Sequence, residues 1–464
     1  MRRWWVVWFL LLGGCLRVGE EWQPPALEMQ GAWSLLIAPE ESTTEADFWL
    51  SWGDERLLDW VQRARIDNRD IRLAAARITE ARALTRLAAA DALPSLELDA
   101  SLVRDRISDN NRVPPRGMAN PVTVPQLWFD ARWELDLFGR LQRQQEAAEA
   151  DLLAAHLTQA ALQISLSAEV AATYFEWRAA SVKVAALHRQ ADASRALLVL
   201  VRSRVRAGLN TELDLRRAED QAAQIDARLP AAQTTVDIAV RRLGILTGGQ
   251  ADSLLAESVV EESLPARVPA LPHLLPAELL DRRPDLRAAE ARAHAAFARI
   301  GVAEGESWPH LSLAAILGTL PTGVGNLLSV GSAFYTVGPQ LNWPLYRGEA
   351  LTAQVDVARA RTVQETLTWE KTAVEAVMEV ETAALRHREA QERLEALSNA
   401  LTAQQHTLEL ATLRYQRGMS DFSAPLEVAR QLAAMEIEVV ETRLQLLTSG
   451  IALYKALGGG WQPP

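Results

Sequence analysis

Cysteine is nearly absent from this chain, which has one cysteine in 464 residues and no CxxC pair. An intrachain disulfide needs two cysteines and a cysteine-based zinc site needs more, so both are excluded. Positive charge is also scarce, since 48 Lys and Arg stand against 59 Asp and Glu, the formal net charge is -11, and no basic run occurs. The chain therefore lacks the attraction to phosphate that nucleic-acid binding requires, and we expect no nucleic-acid partner.

Motifs of enzyme chemistry are absent too. The sequence has no P-loop motif for phosphate binding, no HExxH zinc motif and no GxSxG nucleophile motif. Its seven histidines are scattered along the chain, and we interpret them as packing or surface residues. We therefore expect no catalytic residues, no metal site and no cofactor other than a covalent lipid.

That lipid is predicted from the N-terminus. Arg2 and Arg3 precede a short apolar run, and small residues follow up to Cys15. This order is typical of a secretion signal, and the run is too short to span a bilayer as a helix. Because the residues before Cys15 resemble a lipobox, we predict a lipoprotein signal peptide at 1–14 and lipidation of Cys15. Leu16 is not the Asp that resembles an inner-membrane retention signal, which favours the outer membrane.

The chain contains an internal repeat. Residues 68–77, NRDIRLAAAR, align with residues 283–292, RPDLRAAEAR, at a spacing of 215. The order of predicted elements is the same in both halves: a helix, a strand pair, a very long helix, a glycine turn and another long helix. We therefore divide the mature chain into an N-terminal extended segment at 15–54, a first repeat at 55–249, a Pro-rich connection at 250–276 and a second repeat at 277–464.

Two strand pairs are predicted from alternation, which is strict in the first pair and weaker in the second. Where apolar residues recur at every second position, a strand has an apolar and a polar face. The length of about 10 residues is that of a tilted strand crossing an outer membrane, although a soluble sheet covering a core shows the same alternation. The predicted strands are 94–102, 127–137, 310–317 and 334–343.

Glycine and proline are missing from two long stretches, 141–207 and 349–417. Each stretch predicts one helix on the order of 100 Å long. The stretches are too charged for membrane helices, so we expect long packed helices exposed to water. Gly208 and Gly418 follow them and predict turns at the tips of two helical hairpins.

The number of strands predicts an assembly. Four strands cannot close a barrel, and an open sheet leaves unpaired edges that lipid cannot satisfy. Three copies supply twelve strands. The predicted fold is thus mainly α with a small β part, and a homotrimer forms a 12-stranded outer-membrane β-barrel continued by a periplasmic α-helical barrel.

The segments 281–290, DRRPDLRAAE, and 298–303, ARIGVA, are the most specific motifs of the chain. They resemble those of one family, the TolC-like outer-membrane factors, and within it the lipoprotein outer-membrane components of RND-type multidrug efflux systems. Residues 22–25, WQPP, and 308–313, WPHLSL, are similar to that family's YxxP and FPxLSL motifs. The resemblance implies an exit duct for drugs or other small solutes, docked to a periplasmic adaptor and an inner-membrane RND-type transporter.

The resemblance also implies a periplasmic gate beyond Gly418. It places Glu427 and Arg430 at the positions of the family's gate Asp and Arg. In the first repeat the charge order is reversed, with Arg217 and Asp220 at the matching positions. We predict that Glu427 pairs with Arg217 and Arg430 with Asp220 between hairpins, the alternative being an ordinary solvated pair at i and i+3. Ser423 and Pro425 depart from the family pattern nearby.

Two other functions remain open from the sequence. The same scaffold serves as the outer-membrane channel of type I protein secretion, and a periplasmic coiled-coil scaffold without a pore also has long helices. Lipidation and the RRPD segment favour efflux, while two hairpins and two strand pairs disfavour the scaffold.

Overall fold

The structure is a computed structural model and describes residues 17–24, 45–106, 108, 121–249, 264–265, 268–269, 279–321, 323–421 and 423–461. The predicted signal peptide, the lipidation site Cys15 and most of the Pro-rich connection lie outside the described residues. The described chain is mainly helical with a small sheet. None of the helices in these ranges combines the length and apolar character that a membrane crossing requires.

The same order of elements occurs twice. The elements before the Pro-rich connection are α1 (Glu45–Leu50), α2 (Glu55–Asp67), α3 (Arg69–Ala90), β1 (Ser95–Asp105), β2 (Val122–Leu135), α4 (Arg140–Arg206) and α5 (Glu212–Leu246). Those after it are α6 (Leu279–Arg282), α7 (Pro284–Gly305), β3 (His310–Thr319), β4 (Ala333–Asn342), α8 (Ala350–Gln416) and α9 (Ser423–Ala456), with two 3-10 turns between β3 and β4 at Val324–Asn326 and Val330–Ser332.

The strands form one antiparallel four-stranded sheet in the order β1-β2-β3-β4. Each predicted strand pair is present, and the pairing of β2 with β3 joins the two pairs across the halves of the sequence. β2 begins at Val122 and ends at Leu135, earlier at both ends than the alternation predicted. Pro125 lies in the added part, where β2 pairs with β1 alone. Proline has no amide hydrogen to donate, and it is tolerated at this position because β2 has no second neighbouring strand there that would accept such a hydrogen bond.

Helices α4 and α8 have 67 residues each, and their ends agree with the predicted stretches within one residue. Both end in the same way. Gly208 and Gly418 have φ of +71°, a left-handed conformation that glycine adopts without a steric penalty. The Leu209 and Met419 amides then donate to the carbonyls of Arg204 and Arg414 at 2.9 Å, which is the Schellman hydrogen bond that ends a helix.

Two compact units divide the described chain, and each takes segments from both repeats. Unit 1 comprises the described residues within 1–26, 77–156 and 288–369 and contains the sheet, while unit 2 comprises those within 27–76, 157–287 and 370–464 and contains both glycine turns. The units are not the sequence repeats, because packing joins equivalent elements of both halves. The predicted repeat boundaries describe the order of the chain and stay a prediction.

The main core of unit 2 is aromatic. The ring of Phe48 stacks on Tyr454 with centroids 3.6 Å apart, and Trp49 and Trp52 pack around Phe48. Beside this cluster, the Asp54 carboxylate caps α2 and accepts hydrogen bonds from Tyr174 at 2.8 Å and from buried Arg178 at 2.7 Å. One carboxylate therefore ties the start of α2 to the middle of α4.

Candidate channel surfaces

One face of the sheet is apolar and exposed across all strands. In the register of the sheet, Leu98 lies opposite Phe129, Phe129 opposite Leu317, and Leu317 opposite Tyr335. The exposed fractions of Phe129, Leu317 and Tyr335 are 44%, 58% and 78%. A sheet that covered a soluble core would bury such residues, so this face needs an apolar environment outside the chain.

The opposite face is more polar. Glu97 pairs with Asp130, and Ser95 pairs with Arg132 in the same two strands. In β3 and β4 the same face is less polar, since the apolar Ile316 lies opposite Asp130 in the sheet. Because residues on one face alternate along a strand, the register places the two predicted faces on opposite sides of the whole sheet.

Tryptophans lie at or near the strand ends. The Trp133 indole donates to the Ala92 carbonyl at 3.0 Å, and the ring of Trp308 lies 4.9 Å from that of Phe138. Trp308 and Trp343 are both exposed. Aromatic rings of this kind, part apolar and part hydrogen-bonding, suit the boundary between hydrocarbon and water.

The two glycine turns carry a shared contact within unit 2. The Tyr415 ring, buried near the end of α8, lies 4.8 Å from the Arg204 guanidinium of α4. The Asn210 amide donates to the Tyr415 hydroxyl at 3.4 Å and the Arg204 side chain donates to Asn210 at 3.0 Å. This contact ties the end of α8 to the turn after α4. The sequence does not predict it, because the predicted pairs involve only charged residues at matching positions of the two repeats.

The four predicted gate residues are all in described segments but do not form the predicted pairs. Glu427 pairs with Arg430 at 3.7 Å, with 57% and 56% of the side chains exposed. Asp220 accepts a hydrogen bond from Gln224 at 2.8 Å. Among the described residues, no ion pair joins Glu427 to Arg217 or Arg430 to Asp220 in the single chain, because a neighbour at i+3 on the same helix is nearer. The gate role stays a prediction.

The charge of Arg217 acts on a different carboxylate, that of Asp421. Asp421 precedes α9 and accepts hydrogen bonds from the Ser423 hydroxyl at 2.6 Å and from the Ser423 amide at 3.1 Å. The hydrogen bond from Ser423, together with the charge of Arg217, lowers the pKa of Asp421. An Asp just before a helix commonly marks the start of that helix in a sequence, and Asp421 stands two residues before the start of α9.

The RRPD segment has a structural explanation in unit 2. Arg283 is buried and donates to Asp285 at 2.7 Å, to Glu379 of α8 at 2.9 Å and to the Ala456 carbonyl at the end of α9 at 3.0 Å. One guanidinium thereby holds the start of α7 against two other helices. Burial raises the pKa of Asp285, but the hydrogen bond and charge of Arg283 outweigh burial and leave that pKa below its usual value.

Comparison with known proteins gives consistent matches over nearly the whole chain. The family model of outer membrane efflux proteins matches residues 60–249 and 275–459. The solvent efflux pump outer membrane protein SrpC of Pseudomonas putida is 31% identical over 463 residues, covering 97% of both chains. The cation efflux system protein CusC of Escherichia coli O6:H1 is 27% identical over 457 residues, covering 98% of this chain and 97% of the other.

A solved structure agrees. The outer-membrane channel OprN superposes with a TM-score of 0.85 at 30% identity and covers 96% of this chain and 100% of its own. The predicted resemblance, the efflux function and the outer-membrane location are thereby confirmed. From its exposed apolar sheet face, its long paired helices and these matches, the chain belongs to the outer membrane efflux protein family.

Proposed function

We propose that three copies of this chain form the exit duct of a tripartite efflux pump. The duct is a 12-stranded β-barrel in the outer membrane continued by an α-helical barrel in the periplasm, and a lipid on Cys15 adds a second attachment to the membrane. Its partners are a periplasmic adaptor and an inner-membrane RND-type transporter. The observation that carries the proposal is the exposed apolar row from Leu98 to Tyr335 across an open sheet.

The open sheet supports the trimer. β1 and β4 each have one neighbour, so each presents a row of unpaired backbone groups. In hydrocarbon every such group costs several kcal/mol unless it is paired, and a four-stranded sheet is too small to close on itself. Pairing β4 of one copy with β1 of the next satisfies both edges, and three copies give a barrel wide enough for a water-filled lumen.

The cargo is proposed only by class. The names of the relatives refer to solvents for SrpC and to cations for CusC. A lumen lined by the mixed polar face of Glu97, Asp130 and Arg132 offers water and charge rather than a fitted pocket. We therefore propose small solutes as cargo, with selection made by the transporter.

Conductance tests the proposal. The purified lipoprotein, reconstituted in planar bilayers, is expected to run as a trimer and to conduct ions, and its conductance should not require the adaptor. Monomers without conductance would support the coiled-coil scaffold instead. Export of a folded or unfolded polypeptide with an ABC-type pump, without any solute efflux, would favour type I secretion.

The gate gives a second prediction. Glu427→Arg places like charges at i and i+3 beside Arg430, and we expect a higher open probability of the reconstituted channel. One exposed pair contributes about 0–1 kcal/mol, so the effect depends on three copies acting together. Adding Arg217→Glu should restore closure if the two positions face each other in the assembly.

Glu438→Arg is the matched control. Glu438 lies three helical turns beyond Glu427 on the same face of α9 and pairs with Arg393 at 2.9 Å. It should leave the open probability unchanged. Equal conductance records for the Glu427 and Glu438 variants would show that closure depends on other contacts, such as the packing of Tyr415.

A further inference from the structure

The first described segment, residues 17–24, is held by a buried arginine of unit 1. Arg143 of α4 is only 1% exposed. Its guanidinium donates to the carbonyl of Val18 at 2.9 Å, to that of Gly19 at 3.2 Å and to that of Glu20. Three successive backbone carbonyls on one guanidinium form a specific contact, because a buried arginine needs such partners to offset its lost hydration.

A carboxylate completes this contact. Glu146 pairs with Arg143 at 2.8 Å, with Arg17 of the segment, and with the Nε2 of His294 on α7 at 2.8 Å. Burial raises the pKa of Glu146, but its hydrogen bonds to His294 and Arg143 leave the pKa below its usual value. The ionised carboxylate therefore joins the segment to both α4 and α7.

Two glycines shape this contact in different ways. Gly19 has φ of +82°, a backbone conformation that other residues rarely adopt, and a Cβ built on it would make only an ordinary contact of 3.5 Å with the Gly301 Cα of α7. A Cβ on Gly301 would lie 2.8 Å from the Arg143 Cγ, closer than such atoms approach. Gly301 is the glycine of the ARIGVA segment, which the efflux function alone does not explain. It provides the space through which Arg143 reaches the segment.

Both ends of the segment are fixed as well. The Trp22 ring stacks on His294 with centroids 5.5 Å apart and an interplanar angle of 11°, and it also contacts Phe297. The Val18 amide donates to the Phe138 carbonyl at 2.9 Å. Phe138 lies between the end of β2 and the start of α4, so the segment begins beside the strand ends of the sheet.

We propose that Arg143, Glu146, His294 and Gly301 form an internal docking site for residues 17–24, and that this site ties the N-terminal lipid to the body that carries the sheet. The second clause rests on the proposed lipidation of Cys15. Cys15 precedes Arg17 by two residues, which span at most about 7 Å, so the proposed lipid is attached close to the docked segment. Arg143 is a positioning residue in this device.

A spin label on the segment tests the docking. Glu21 is exposed, and Glu21→Cys supplies the label site, because the chain's single cysteine is acylated in the lipoprotein. In vesicles of outer-membrane phospholipids, the label spectrum should show an immobilised backbone. Arg143→Ala removes the three carbonyl contacts and should release the segment into nanosecond motion.

Two further variants separate release from misfolding. Gly19→Val places a branched side chain at a positive φ, which should release the segment from the docking site. The substitution changes no residue within a helix of unit 1. Arg299→Ala is the control, because Arg299 lies on α7 beside Gly301, is exposed, and pairs with Asp151 rather than with the segment. All variants should keep the trimer and the conductance of the parent.

The outcomes are distinct. A mobile label in Gly19→Val and Arg143→Ala, with an immobile label in Arg299→Ala, supports the docking site. Equal mobility in parent and Gly19→Val overturns it. Mass spectrometry of the N-terminus examines the lipid separately: an unmodified Cys15 would remove the link to the lipid, and the label experiment in a Cys15→Ser background would still decide the docking.

Discussion

Phe129→Arg is expected to prevent assembly of the trimer in bilayers, whereas Asp130→Arg leaves assembly nearly unchanged. The two residues are neighbours in β2 and face opposite sides of the sheet, Phe129 between Leu98 and Leu317 and Asp130 between Glu97 and Ile316. An arginine facing lipid near the midplane costs about 2–4 kcal/mol, and a trimer incurs this cost three times. On the polar face, an arginine at position 130 gains an opposite charge in Glu97.

The measurement is the fraction of purified protein that assembles into trimers in lipid vesicles, with secretion and expression of both variants matched. Leu317→Arg, in the same apolar row, should reproduce the loss caused by Phe129→Arg. Equal trimer yields for Phe129→Arg and Asp130→Arg would contradict the assignment of the Phe129 face to lipid.

Arg283→Ala is expected to destabilise unit 2 by about 1.5–3 kcal/mol, the usual range for hydrogen bonds to charged groups, because Arg283 is buried while its carboxylate partners Asp285 and Glu379 stay 37% and 40% exposed. The substitution takes the guanidinium away from Asp285, Glu379 and the Ala456 carbonyl at once. Arg287→Ala, one turn further along α7, removes a more exposed arginine that pairs with Asp281 at 3.4 Å and should cost at most about 1 kcal/mol. Urea unfolding followed by helical circular dichroism measures both; equal midpoints would contradict the role of Arg283.

The cost of Arg283→Ala should also depend on pH. In the parent the pKa of Asp285 is lowered, so its contribution to stability is present above the usual Asp value near 4 and is lost as pH falls through the lower folded value. Without Arg283, the two largest causes that lower this pKa are lost while burial still opposes the charged form, so the half-buried carboxylate protonates more readily. The difference between parent and variant should therefore shrink between pH 7 and pH 3.

The strands illustrate what alternation predicts and what it leaves open. Alternation placed Phe129 and Asp130 on opposite faces, and the register confirms this. It does not predict that β2 pairs with β3, because the helices α4, α5, α6 and α7 separate those strands in the chain. It also places the start of this strand at residue 127, whereas β2 begins at Val122 and includes Pro125 in the part that pairs with β1 alone.

The candidate sites divide in the same way. The resemblance points to Glu427, Arg430, Arg217 and Asp220, and within the single chain Glu427 pairs with Arg430 while Asp220 accepts a hydrogen bond from Gln224. The sequence identifies the segments DRRPDLRAAE and ARIGVA as family motifs but does not show what their residues do in the fold. In the structure, Arg283 holds three helices together, and Gly301 makes room for Arg143.

The sequence by itself determined the two long helices, their ends at Gly208 and Gly418, and the faces of the strands. These are local properties, because the absence of glycine and proline, a left-handed cap residue and a period of two each act within a few residues. Only the tertiary structure decided the order of the sheet, the partners of Arg283 and the docking of residues 17–24. Those contacts join residues far apart in the chain, such as Arg143 and Val18 at a separation of 125. Which donor meets which acceptor there depends on how whole elements pack, and no local pattern of side chains contains that information.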